Sequence, residues 1–173
     1  MNKAGPSSRK DSALVSADIL DRFAGKAEIL DEQAFIEELN ALLQEIIAIY
    51  MEVYNAPHNL RVQEFAALAG KSRQQIYRDL EERKLLALNA GGKGQKLPDW
   101  QLDPVKRQLT EKVLKGAEPL DPWTLYRALS GPLKSLNGQM PIDAVTVDNV
   151  DLIAEQVFGS LGIDCCQKPT ASP

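Results

Sequence analysis

Between Phe35 and Val53, apolar residues return at steps of four and three: Phe35, Leu39, Leu42, Ile46, Ile49 and Val53. This period predicts one amphipathic helix of about six turns. Leu43, Ile47, Tyr50 and Tyr54 widen the apolar face, while Glu37, Glu38, Glu45 and Glu52 lie largely outside it. Asp31 is placed to cap the helix, with Leu30 and Phe35 as a hydrophobic staple, and Pro57 to end it. A face this broad either covers the chain's own core or pairs with the same face of a second copy. A shorter period through Leu14, Ile19, Leu20 and Phe23 predicts a helix over residues 13–23, behind a polar tail over residues 1–12.

The middle of the chain reads differently. From Leu60 the run predicts a short helix ending at Gly70, with Phe65, Leu68 and Ala69 on its inner side. Gly70 suits the left-handed turn that follows. Ser72 opens the next helix, and Gln75 three residues on completes a capping box. Ile76 and Leu80 anchor that helix inward, leaving Gln74, Gln75 and Arg78 on the far side, with Arg73 and Tyr77 at its flank. Beyond it, Leu85–Leu88 and the segment around Leu97 bracket a Gly- and Lys-rich loop, which predicts a β-hairpin carrying Lys93 and Lys96. Two helices about a glycine turn form a helix-turn-helix pattern, whose second helix enters the DNA major groove. Gln pairs with adenine and Arg with guanine, whereas Lys, Ser and Tyr contact phosphates. The DNA-contacting set predicted here is therefore Lys71, Ser72, Arg73, Gln74, Gln75, Tyr77 and Arg78, joined by Lys93 and Lys96 of the hairpin.

Charge supports that placement. Lys plus Arg number 20 and Asp plus Glu 24, a net charge of -4. Residues 1–60 hold 5 basic and 10 acidic side chains, residues 61–112 hold 11 and 7, and residues 113–173 hold 4 and 7. A basic middle thus sits between acidic flanks, which excludes a uniformly cationic coat but not a cationic face.

The C-terminal part predicts a small helical bundle. Asp121 and Pro122 form a helix start, followed by Trp123, Tyr126 and Leu129 on one face. Gly131-Pro132 stops that helix, Asn137-Gly138 turns the chain, and Pro141 opens a short helix to Ala144. Asp148 or Asn149 caps a last helix carrying Val150, Ile153, Ala154, Val157, Phe158 and Leu161.

Catalytic chemistry has little to build on. His58 is the only histidine, and it lies in a turn-like stretch. Gly91-Gly92-Lys93-Gly94 lacks the spacing of a phosphate-cradling loop. Cys165 and Cys166 are adjacent, where ring strain disfavours a mutual disulfide. No catalytic residue, metal ligand or cofactor is therefore expected, and the protein is expected not to be an enzyme. The longest apolar run, Ile46 to Met51, is far too short for a membrane span, and no secretion signal precedes it, so the expected location is cytoplasmic.

Two resemblances sharpen these readings. The stretch from Val62 to Ala66, then Ser72 to Arg78, then Gly92-Lys93-Gly94 and Leu97-Pro98, resembles excisionase-like and MerR-like winged helix-turn-helix domains. This implies binding of double-stranded DNA, with the second helix as reader. The order Trp123, Leu125, Tyr126, then Leu136 to Ala144, then an apolar closing helix, resembles the C-terminal toxin-binding domain of MbcA/ParS-type antitoxins. Met140 stands where that family has a threonine. The resemblance implies a partner surface, placed at Trp123, Tyr126, Asp143 and Asp148, for a RES-type toxin that acts on NAD.

The expected fold is mainly α: a long N-terminal helix, a winged helix-turn-helix with a small hairpin, and a C-terminal helical bundle. Its segments are a tail and short helix (1–29), the long helix (30–58), the DNA-binding segment (59–102), the toxin-binding-like segment (103–164) and a tail (165–173). The expected function is a dimeric transcriptional repressor, the antitoxin of a toxin–antitoxin pair. The alternatives are a protein-interaction adaptor and an excision or architectural factor of a mobile element.

Overall fold

A computed structural model describes residues 32–163. The expected N-terminal tail, the helix over residues 13–23, the Asp31 cap and the segment with Cys165 and Cys166 lie outside the described residues. The chain divides into two compact units, one ending at Ala56 and the other beginning at Pro57. Among the described residues the fold is mainly helical, with one small three-stranded antiparallel sheet.

The first unit contains α1 (Glu32–Asn55), a helix of 24 residues, about 36 Å long at 1.5 Å per residue. It ends just before the Ala56-Pro57 step, because a residue preceding proline disfavours helical backbone. Of its apolar residues only Tyr54 is buried; Ile36, Leu43 and Ile47 are exposed.

The second unit opens with a strand where a helix was expected. Asn59–Arg61 forms β1 and pairs antiparallel with β3 (Gln95–Pro98), Leu60 opposite Leu97. The local pattern around Leu60 is compatible with helix, but a backbone ladder offered by a segment some 35 residues away overrides it. The helix α2 (Val62–Leu68) starts two residues later, where the Arg61 N–H donates to the Glu64 carboxylate at 2.9 Å. Its inward positions are Val62, Phe65 and Ala66, not Leu68, which is 66% exposed. At 100° per residue Leu68 lies roughly 110° round the helix from that stripe.

The turn after α2 follows the expected logic. Lys71 N–H donates to Ala66 O at 2.9 Å and Gly70 N–H to Ala67 O at 3.3 Å, with Gly70 at φ +64°. These are the paired bonds of a Schellman cap, which needs a left-handed residue at that point. Helix α3 (Arg73–Glu81) begins at the Ser72 box: Gln75 N–H donates to Ser72 Oγ at 3.2 Å, and Ser72 N–H to Gln75 Oε1 at 2.8 Å. Ile76, fully buried, joins Val62, Phe65, Ala66, Leu85 and Leu97 in one core.

The hairpin is shorter than the apolar segments implied. Only Leu88–Asn89 pairs as β2, while Leu85 and Leu86 are buried without joining the ladder. The strand order β1-β3-β2 makes β3 the central strand.

The helix α4 (Pro104–Gly116) was not anticipated from the period, yet its start repeats the signal recognised at Asp121-Pro122. Asp103 accepts from Val105 N–H at 2.9 Å and Lys106 N–H at 3.0 Å, and Pro104 takes the first turn. The helix α5 (Pro122–Ser130) is capped identically by Asp121. Next come α6 (Pro141–Ala144) and α7 (Val150–Ser160), after Asn137 and Gly138 turn the chain at positive φ. Asn149 occupies the cap position of α7, but its side chain turns away from the helix: Oδ1 accepts from Thr146 N–H and Nδ2 donates to Ala144 O. Met140, at the cap of α6, supplies no side-chain hydrogen bond. Gly116 lets α4 approach α7, since a Cβ there would lie 2.4 Å from the Phe158 ring.

Residues 59–102 and the helices after them share polar and aromatic links. The Trp100 indole donates to Thr110 Oγ1 at 3.3 Å and stacks on Tyr126, ring centroids 5.1 Å apart. The Tyr126 hydroxyl lies 2.9 Å from His58 Nε2. Gln101, 1% exposed, bonds Leu86 through both its amide atoms. The Arg83 guanidinium donates twice to Leu114 O, at 3.0 and 2.7 Å.

Candidate nucleic-acid interface

The capping box sets where α3 begins, and Ile76 sets which side faces the core. Together they determine what the helix presents outward. Ser72, Arg73, Gln74, Gln75, Tyr77 and Arg78 are all exposed, in contrast to the fully buried Ile76. Gln75 is held by its cap bond, so its Oε1 is already engaged. Arg73, Gln74, Tyr77 and Arg78 are the side chains that this helix leaves available to a ligand.

Lys71 does not belong to that row. Its ammonium lies 2.5 Å from Asp79 Oδ2, with both side chains partly sheltered from solvent. Of the three basic residues from Lys71 to Arg78, one is therefore ion-paired and two are not. A carboxylate eight residues away reaches the start of the helix only because α3 folds the two together.

Ion pairs in the unit fall mostly on lysines, with Arg83 also reaching Glu118 at 3.9 Å. Lys84 pairs with Glu82, which raises its pKa above the usual lysine value through a hydrogen bond and charge attraction. Lys106 pairs with Asp143, Lys112 with Asp151 and Lys115 with Glu111. Arg61, Arg73, Arg78 and Arg107, in contrast, have no acid within ion-pair distance among the described residues; Arg127 and Lys134 share that condition. A guanidinium is a planar fork suited to phosphate oxygens or to a guanine edge.

The hairpin lysines occupy different settings. Lys93 is exposed, in the tight turn Gly91–Lys93 before Gly94 at φ +90°. Lys96 is half-buried on the central strand, opposite Arg61 of β1 and Leu88 of β2. Two residues of interest were not among the predicted set. Arg61 sits at the start of α2. Arg107 lies on α4, at a shallow cleft between α2 and α3 lined by Phe65, Leu68, Ile76 and Leu102, with Lys71 on its rim. Arg107 was findable only after recognising the Asp103-Pro104 helix start.

The expected partner surface is broken up. Tyr126 is 6% exposed and its hydroxyl is engaged by His58 and Asn59, so it is a core residue rather than a docking one. Trp123 is half-buried, its indole N–H donating to Asn89 O at 3.1 Å. Asp143 is exposed and paired with Lys106; Asp148 is exposed. Among the described residues no group of His, Cys, Asp and Glu could hold a metal ion, and no helix is long and apolar enough to cross a membrane. No protein-family model, curated protein or solved structure matches the chain.

Proposed function

We propose that residues 59–102 form a winged helix-turn-helix that reads duplex DNA, and that the protein is a transcriptional regulator. In this reading α3 lies in the major groove, Gln74 and Arg78 meet base edges, and Arg73 and Tyr77 contact the backbone. The hairpin follows the adjacent phosphates, with Lys93 at its tip. The observation that carries the proposal is the exposed, acid-free row Arg73, Gln74, Tyr77 and Arg78 on a rigidly capped helix. Arg61 and Arg107 extend the same chemistry, guanidinium without a protein counter-charge, onto neighbouring elements.

The test uses the full chain and duplexes enriched from a random pool. Affinity for an enriched duplex and for a scrambled one is measured by fluorescence anisotropy at several salt concentrations. Arg78→Ala is expected to weaken the enriched duplex roughly 5- to 150-fold more than the scrambled one, equivalent to about 1–3 kcal/mol per good bidentate contact. Arg107→Ala is expected to weaken both equally and to lower the salt slope by about 1. Failure to enrich any duplex, or retention of full affinity by an Arg73→Ala/Arg78→Ala variant, would remove the proposal.

A second role has one observation in its favour. Val147 and Leu152 are 75% and 56% exposed, and Asp148 between them in the chain is exposed, while Asp151 is engaged by Lys112. That chemistry suits a basic protein partner, as the antitoxin resemblance implies. Loss of binding to a co-encoded RES-type toxin on Val147→Asp/Leu152→Asp, with DNA binding unchanged, is the expected result.

A further inference from the structure

The helix α1 has two apolar lines, and they differ in exposure. Phe35, Leu39, Leu42, Ile46, Ile49 and Val53 are half-buried. Ile36, Leu43 and Ile47 are 46%, 46% and 51% exposed, and Asn40 between them is exposed too. These four recur at steps of four, three and four, which is the seam of a coiled coil. We infer that this second line is the contact between two copies of the chain, with α1 pairing parallel and in register through Ile36, Asn40, Leu43 and Ile47.

The charges identify the occupant. The helix carries five glutamates and no base. Glu38, Glu45 and Glu52 lie roughly 160–200° round the helix from the seam, the position farthest from a partner. Only Glu32 and Glu37, at the N-terminal end, lie near it. In a parallel pair Glu32 of one copy faces Glu37 of the other, a like-charge contact confined to the N-terminal end. Along Leu43 and Ile47 no charge flanks the seam, which suits an identical apolar line and offers a cationic partner nothing to pair with.

Asn40 decides the orientation. In an antiparallel or shifted pairing its amide would face an apolar side chain and lose its hydrogen bonds to water without replacement. In register and parallel, the two Asn40 amides face and bond each other. A β-branched residue at the Ile47 position and a leucine at the Leu43 position further favour two strands over three. This inference rests on α1 alone, so it can fail while the DNA-reading proposal stands.

Sedimentation equilibrium of the full chain, over a wide concentration range, reads the mass. The expected particle is twice 19.1 kDa, reverting to one copy for Leu43→Asp/Ile47→Asp with helical content unchanged by circular dichroism. Orientation is read by cross-linking in a Cys165→Ser/Cys166→Ser background. Ile36→Cys, at the end of the seam with Asn40 intact, should form a covalent dimer on mild oxidation, because only a parallel pair brings the two ends together, and Glu45→Cys on the far side should not. A monomer at every concentration would overturn the inference. A dimer that survives the double substitution, or one that cross-links as well through position 45, would also overturn it.

Discussion

The helices α3 and α5 are both nine residues long and both start from a side-chain cap, Ser72 in one and Asp121 in the other. Their fates are opposite. The helix α3 fully buries only Ile76, whereas α5 buries Leu125, Tyr126 and Leu129 and links the sheet to the bundle through Tyr126. Equal capping therefore does not imply equal burial. One helix buries Ile76 fully and Leu80 in part and leaves its opposite side exposed, and the other buries three large apolar side chains that hold the unit together.

Substitution should separate the two sharply. The largest effect is expected from Leu125→Ala. Its fully buried side chain has no solvent to relax into, and such truncations cost about 2–5 kcal/mol. Urea unfolding checks this, and a loss below about 1 kcal/mol would mean that α5 does not hold the unit together. Next comes Tyr126→Phe, which keeps the ring contacts with Trp100 and Trp123 but strips the hydroxyl from His58 and Asn59. Leaving buried polar groups with one partner fewer should cost about 1–3 kcal/mol.

On the other helix, Ser72→Ala should cost about 1 kcal/mol by removing the cap of α3. It should also reduce DNA affinity, because the first turn carrying Arg73 and Gln74 frays. By contrast, Arg78→Ala should change stability by less than about 0.5 kcal/mol while altering binding. A large stability loss there would move Arg78 from the ligand-facing surface into the fold.

The smallest expected effect concerns pH. A hydrogen bond from Thr124, followed by the backbone N–H groups of Thr124 and Trp123, holds the Asp121 carboxyl below the usual aspartate value. A lowered native pKa contributes stability that is present above the unfolded-state value and lost as pH falls through the native one. Asp121→Asn should therefore lower stability slightly at neutral pH, where the carboxylate's contribution is present, and converge with the parent protein in acid, which flattens the acid limb. An acid limb identical in both proteins would show that the cap bonds do not depend on charge.

Local features were legible wherever one segment decides its own conformation. The Gly70 turn, the Ser72–Gln75 box, the Asp121-Pro122 start and the Asn137-Gly138 turn all depend on backbone groups within a few residues of the side chain that satisfies them. The outward face of α3 was readable for the same reason, since Ile76 fixes the helix phase. The helix α4 was within reach and was missed, because its apolar period is weak although its Asp103-Pro104 start is strong.

What escaped was long-range. Leu60 joins a strand because β3 presents an open ladder to it. Lys71 is ion-paired with Asp79, and Tyr126 is buried against His58, Asn59 and Trp100. None of these partners is a sequence neighbour of the residue it captures, apart from the turns of α3 between Lys71 and Asp79. By itself the sequence determined the caps, the turns, the helix phases and the basic bias of the middle segment, all of which follow from short-range hydrogen bonding and periodicity. Only the tertiary structure decided which cations keep their charge uncompensated and which aromatics reach the surface. Both depend on groups that meet only after the chain has closed on itself.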